Sequence, residues 1–348
     1  MNTIIEVCPV ADVHTHLREG MGVSGDLIRM GLKGGADVFG AMPNTDTGLL
    51  TASQVLDYIC KIKETVSSGQ NARFIPFLMI TENTPFKEID ACVSSGIVDA
   101  KIYPHMRTTK SENGVRQYGK ILPIIKHCGK QGMKCHFHPE HPSMLFSNRD
   151  AEFAFLTLGR IFLEETNATI VWEHGTDARC IPHWKDFSES GRFYVTLTAH
   201  HLATNEDLTF GDVRSTCKPP IKTEADRVSL VDLVCEDHSW VMAGSDSAFH
   251  PKEKKYVETG CCACGAFTAP FLLPLYAHVL EKLLMAGENG IFERFINYNA
   301  RILHDLPLSE SVVTLAHEEW EIPTSYSVGG KKASPFWAGQ KLKWKIVE

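Results

Sequence analysis

Short runs of apolar and β-branched residues recur along the chain, each followed by a stretch whose apolar positions repeat at helical spacing. The runs fall at residues 10–14, 38–42, 73–80, 98–102, 133–138, 169–173, 193–197 and 240–243. Between them, residues 52–67, 115–131, 150–165 and 224–236 read as helices, with polar, Gly or Ser residues at their ends. Strands that alternate with helices predict βαβ units and a parallel sheet. Eight such units predict an α/β fold, a closed (β/α)₈ TIM barrel in preference to an open doubly wound sheet. No G-x-G-x-x-G follows any run, which removes the main sign of a dinucleotide fold. The segment after Gly287 is less regular and is expected to pack outside the barrel. Residues 1–348 would then be a single domain, with 288–348 as its C-terminal elaboration.

Composition narrows the function classes. A length of 348 residues fits one elaborated barrel. Hydrophobic residues at 43% and charged residues at 22% belong to a folded globular chain. A formal net charge of −7 supplies no basic field for nucleic acid. The first twelve residues lack the basic start and long apolar run of a secretion signal. The most apolar later stretch, 267–286, is broken by Pro270, Pro274, His278, Glu281 and Lys282, so no membrane span is expected. Most of the 11 cysteines stand singly and read as reduced thiols of a cytoplasmic protein. Cys261, Cys262 and Cys264 cluster, but no second Cys/His pair at zinc-finger spacing completes a site.

Polar residues stand where a barrel enzyme carries its chemistry, at the C-terminal ends of the strands. In Asp12-Val13-His14-Thr15-His16-Leu17-Arg18, side chains two apart share a face, so His14 and His16 can converge on one metal ion. Two histidines on a solvated strand edge are the plainer alternative. Lys101 ends an apolar strand, where an unpaired ammonium is costly. Carboxylation of its amine would resolve that, and so would a reach to solvent or to an acidic neighbour. His138 and His174 close two later runs. His136 and His138 share a face, so spacing alone does not decide between them. Asp246, after Gly244 and Ser245, can ligate a metal and shuttle a proton, or simply cap the next segment. Four histidines, an acid and a lysine, gathered from five strands, make the ligand inventory of a two-metal hydrolase site. Imidazole and carboxylate suit zinc, without excluding cobalt, manganese or iron.

These residues resemble the amidohydrolase superfamily and, within it, the shorter, single-function bacterial dihydroorotases. The match is colinear over nearly the whole chain. It includes His14-Thr15-His16-Leu17-Arg18-Glu19, Met42-Pro43-Asn44, Ala100-Lys101-Ile102-Tyr103-Pro104, Glu173-His174, His201-Leu202, Gly244-Ser245-Asp246-Ser247-Ala248 with His250, and Phe267-Thr268-Ala269-Pro270. Pro335-Phe336, Ala338-Gly339 and Trp344 look like the family's closing strands. The resemblance implies a binuclear zinc centre. His14, His16 and Asp246 would bind the more buried ion, His138 and His174 the second, and Lys101 as its carbamate would bridge both together with a hydroxide. It also implies that Arg18, Asn44 and His250 hold a substrate carboxylate, and that Thr108 and Thr109 sit on a loop that closes over the site. Asp246 would carry the proton in the reversible ring opening of dihydroorotate to carbamoyl aspartate, a step of pyrimidine biosynthesis. The family's frequent dimer makes a homodimer the expected assembly.

Two segments depart from the family pattern. Residues 213–220 are shorter than usual and residues 261–265 look rearranged, which bears on ring selectivity more than on metal binding. Glycine usually follows the fifth-strand histidine, where this chain has His138-Pro139-Glu140; the strand-end position and the flanking glutamate favour His138 over His136. The alternatives are another cyclic amidohydrolase, of hydantoinase or allantoinase type, and a catalytically dead barrel serving as a scaffold. The carboxylate-reading trio argues against the first, and the complete ligand set against the second.

Overall fold

The computed structural model describes residues 3–67 and 70–347. Eight parallel strands line its centre: Val10–His16, Ala36–Ala41, Arg73–Ile80, Asp99–Ile102, Lys134–Phe137, Ile170–Trp172, Phe193–Leu197 and Val241–Ala243. Each pairs with the next in sequence. The eighth breaks off and resumes at Ser247–Ala248, which pairs in parallel with Thr15 and His16 of the first strand. The two edges of the sheet therefore meet around residues 244–246. Gly244 N donates to Leu197 O at 3.2 Å, and Asp246 N to His14 O at 2.8 Å. The sheet closes into the expected barrel, with helices on its outside.

Strands buried on both faces must be apolar or small nearly throughout, and all six residues of Ala36–Ala41 are buried. Gly40 marks the tightest approach, since a Cβ there would stand 1.9 Å from Val13 O. The helix Ala52–Lys63 buries Ala52, Val55, Tyr58, Ile59 and Ile62 along one face and starts at a capping box of Thr51 and Gln54. It ends short of the expected residue 67, where the Thr65 hydroxyl donates back to Ile62 O at 2.7 Å. The helix expected from residue 115 begins at Tyr118, because Val115 bridges to Pro104. No described helix is long and apolar enough to cross a membrane.

The C-terminal extension has two parts. Residues 289–304 run across the N-terminal end of the barrel, where Asn297 Nδ2 donates to Pro9 O at 2.6 Å and Asn299 Nδ2 to Val241 O at 2.8 Å. Buried Arg301 pairs there with Asp37. Beyond them, Val313–Glu321 and Lys341–Val347 form an antiparallel sheet outside the barrel with Ile4–Val7, at the other end of the chain. The recruitment of that first strand was not expected from sequence.

Candidate metal centre and substrate cleft

His14 and His16, two apart on the first strand, meet Asp246 at the break in the eighth. One ligand atom from each of these three side chains lies within 4.8 Å of the others. Asp246 Oδ1 stands 2.8 Å from His16 Nε2 and 3.3 Å from His14 Nε2. A carboxylate only accepts, so His14 Nδ1 carries the hydrogen it gives to Glu173 Oε2 at 2.9 Å, which leaves Nε2 as the nitrogen facing the cluster. Burial holds the His16 imidazole down to about 4, which leaves it neutral, the form that binds metal.

His138 and His174 come together beside this trio, their ring centroids 4.5 Å apart. His138 Nε2 gives its hydrogen to Glu140 Oε2 at 2.6 Å, leaving Nδ1 with the free lone pair. Among the described residues, His174 Nδ1 is buried without a hydrogen-bond partner, and so is Lys101 Nζ on a side chain with no exposed surface. Burial lowers the Lys101 amine to about 8 against the opposite pull of Glu173 and Asp246. Orphaned polar atoms at such depth call for an explanation. A donor set of imidazoles, a carboxylate and an unpaired amine fits divalent metal, and nothing in the packing of these residues contradicts it. His136, the competitor of His138, has both nitrogens engaged elsewhere: Nδ1 lies 2.6 Å from Glu173 Oε1 and Nε2 3.0 Å from Asp99 Oδ1. Another buried group, His200, His201 and Cys217, follows the seventh strand. There, His201 already pairs with Thr198 Oγ1 at 2.7 Å and Pro219 O at 3.1 Å.

Three of these side chains rise from left-handed backbone: Arg18 at φ 59°, His174 at φ 41° and Asp246 at φ 45°. Such strain costs about 1–3 kcal/mol per residue and persists only where the surroundings enforce it. For Arg18 they do so through its carbonyl, which accepts from Tyr58 Oη at 2.9 Å and Ser24 Oγ at 3.2 Å.

Arg18, Asn44, Thr108 and Thr109 line a small cleft with His16 and Asp246. Arg18 Nε donates to Phe249 O at 3.2 Å, and its Nη2 lies 3.2 Å from His250 Nε2. His250 gives its Nε2 hydrogen to Cys264 O at 2.8 Å, so a carboxylate there would compete with a backbone carbonyl for it. The loop bearing the two threonines is folded down: Asn44 Nδ2 donates to Thr109 O at 3.2 Å and Thr109 Oγ1 to Cys264 O at 3.3 Å, while Lys110 pairs with Asp46. The cavity left beneath is about 20 Å³, room for about one water molecule and too small for a six-membered ring. Two wider surface grooves, about 660 and 560 Å³, lie away from this centre.

Lys218 and Gly265 also line the cleft and were not singled out from the sequence. They come from the two segments that depart from the family pattern. Gly265, at φ 145°, has no space for a side chain: a Cβ would stand 2.5 Å from Ala248 Cβ. The nearest sequence signal for Glu173 as the partner of His14 was its place beside His174 at a strand end.

No protein-family model matches the chain. Among curated proteins it is similar to the dihydroorotase of Vibrio vulnificus strain YJ016, at 30% identity over 353 residues covering 99% of each chain. The chain belongs to the dihydroorotase family. Within that family it superposes on the crystal structure of the Saccharomyces cerevisiae dihydroorotase in complex with 5-fluoroorotic acid with a TM-score of 0.89, at 27% identity and covering 99% and 98% of the two chains. An L-hydantoinase from Arthrobacter aurescens superposes with a TM-score of 0.79 at 13% identity, covering 99% of this chain and 83% of that one, and shares the fold. Membership of the dihydroorotase family makes this chain a hydrolase of the amidohydrolase superfamily.

Proposed function

We propose that the chain is a dihydroorotase: it opens the cyclic amide of dihydroorotate to N-carbamoyl aspartate and closes it again in the biosynthetic direction. One observation carries this choice over a hydantoinase. Arg18, Asn44 and His250 gather beside the His14, His16 and Asp246 cluster, and a hydantoin ring has no carboxylate for an arginine fork to hold. The structure of the yeast relative with 5-fluoroorotic acid, a ring carboxylate, supports the same choice.

Two zinc ions would be the cofactor of this reading: His14, His16 and Asp246 would hold one, His138 and His174 the other, and Lys101, once carboxylated, would offer its carbamate to both. Bound there, such ions acidify water to near neutral pH and polarise a carbonyl. The depressed Lys101 amine supports the carbamate, because an uncharged amine is the form that adds CO₂ and releases a proton. Arg18 and Asn44 orient the ring through its carboxylate. Thr108 and Thr109 close over it and exclude water. Asp246 accepts the proton of the attacking water and delivers it to the ring nitrogen as the C–N bond breaks. The same reading makes the partner a small anion, places the enzyme in the cytoplasm and suggests a homodimer.

The deciding assay follows loss of dihydroorotate by the zinc-loaded protein and by Lys101→Ala. Wild type is expected to turn it over, and the variant to fall by at least about a hundredfold. Turnover of hydantoins but not dihydroorotate would replace the reading. Equal activity in both proteins would remove Lys101 from the centre. Arg18→Lys keeps the charge but loses the fork, so KM is expected to rise about 10- to 100-fold with kcat nearly unchanged. A fall confined to kcat would show that Arg18 acts on the reacting atoms instead.

A further inference from the structure

Barrel interiors are ordinarily filled by branched apolar side chains. Here Asp99 and His136 stand two residues before Lys101 and His138, and therefore on the same inward face, one layer deeper. Both are buried, and His136 has no exposed surface. His136 Nδ1 lies 2.6 Å from Glu173 Oε1, and its Nε2 lies 3.0 Å from Asp99 Oδ1. The same Asp99 oxygen is 3.2 Å from Nδ1 of His304, which comes from the segment across the end of the barrel. His304 stacks on His136 with 5.6 Å between ring centroids, and Phe77 abuts the His136 ring edge-on at 4.8 Å. At the other end, Glu173 Oε2 accepts from His14 Nδ1 at 2.9 Å and from Thr196 Oγ1 at 2.6 Å. A column of polar groups thus runs from the extension, through the middle of the barrel, to a residue of the candidate metal centre.

Glu173 shares the work unevenly between its oxygens. Among the described residues, Oε1 accepts only from His136, whereas Oε2 serves both His14 and Thr196. Without His136, Oε1 would be a buried carboxylate oxygen with no donor, free to turn toward one of the Oε2 partners. His14 needs its Nδ1 hydrogen held on Glu173 to keep Nε2 aimed at the cluster. We infer that His136, held by Asp99, is a positioning residue for the metal centre, fixing Glu173 and through it the tautomer and direction of His14. The inference rests on the reading of His14 as a metal ligand.

The test measures zinc affinity by chelator competition on wild type, His136→Leu, His136→Gln and His14→Ala, with circular dichroism to confirm folding. His136→Leu is expected to weaken zinc binding about 10- to 100-fold. His136→Gln, which restores a donor, is expected to recover most of that, and KM for dihydroorotate should stay within about threefold because Arg18 and Asn44 are untouched. Should the leucine variant not fold, Asp99→Asn tests the same column with volume kept, and a loss of about three- to tenfold is expected. Wild-type zinc affinity in a folded His136→Leu, or in Asp99→Asn where that variant stands in, overturns the inference even if the melting temperature drops. If His14→Ala also keeps full affinity, the metal reading falls and this inference with it; if His14→Ala alone loses zinc, only this inference falls. A third zinc ion per wild-type chain, lost in His304→Gln, would make the lower triad a metal site and overturn the positioning role.

Discussion

Asp246→Asn is expected to lower turnover of dihydroorotate by about a thousandfold while the protein still takes up zinc. Burial alone would push the Asp246 carboxyl up, but His14 and His16 outweigh it and hold the group well below the ordinary carboxylate range. It is therefore an anion, able to ligate and to accept a proton. Asparagine preserves the shape and one oxygen donor but cannot accept the proton, and a positioned acid–base group contributes about 10²- to 10⁴-fold. The backbone should tolerate the change: Asp246 sits at φ 45° and its N–H is tied to His14 O, and asparagine accepts left-handed backbone at least as readily as aspartate. The check is kcat together with zinc content on one preparation. Activity within tenfold of wild type would remove Asp246 from the proton path. Loss of zinc in step with activity would reduce it to a ligand.

Much of this centre was legible from the sequence because strand geometry is simple. A period of two makes His14 and His16 neighbours, and the end of a barrel strand is where side chains meet across the mouth. That rule carried over to Lys101, His138, His174 and Asp246, each at the end of an apolar run; the structure sets His174 beside both His138 and His14, and Asp246 beside His14 and His16. It could not separate His136 from His138. That choice turns on Asp99 and Glu173, which come from two other strands and occupy both nitrogens of His136. Nor could periodicity show that the eighth strand breaks at Gly244-Ser245-Asp246, since only two residues, Ser247 and Ala248, complete the pairing. The pairing of Ile4–Val7 with Val313–Glu321 joins the ends of the chain, and no local pattern announces a contact at that separation. Lys218 and Gly265 were missed for a related reason: they belong to irregular segments whose course depends on the barrel beneath them.

Lys101→Met should show what the centre costs the fold. In zinc-free, CO₂-free protein, burial holds the Lys101 amine down to about 8, whereas an unfolded lysine sits near 10.4. Between these values the unfolded chain binds more protons than the folded one, so this group's contribution to stability rises with pH across that window. Below about pH 8 the folded protein bears the whole penalty of the buried ammonium, about 3 kcal/mol. Above about pH 10.4 the penalty is gone. Methionine has nearly the same volume and no charge. The variant is therefore expected to be more stable than wild type at pH 7 by that amount, with the gain shrinking toward zero as pH rises through 8 to 10.4. Denaturant titrations of both chelated proteins at pH 7 and pH 10 measure it, and the difference between them cancels groups common to both. A methionine variant less stable than wild type at pH 7 would mean that the Lys101 ammonium is satisfied in the metal-free fold. The expected result would instead show a lysine kept at a site that disfavours it for stability, as a residue required for its chemistry would be.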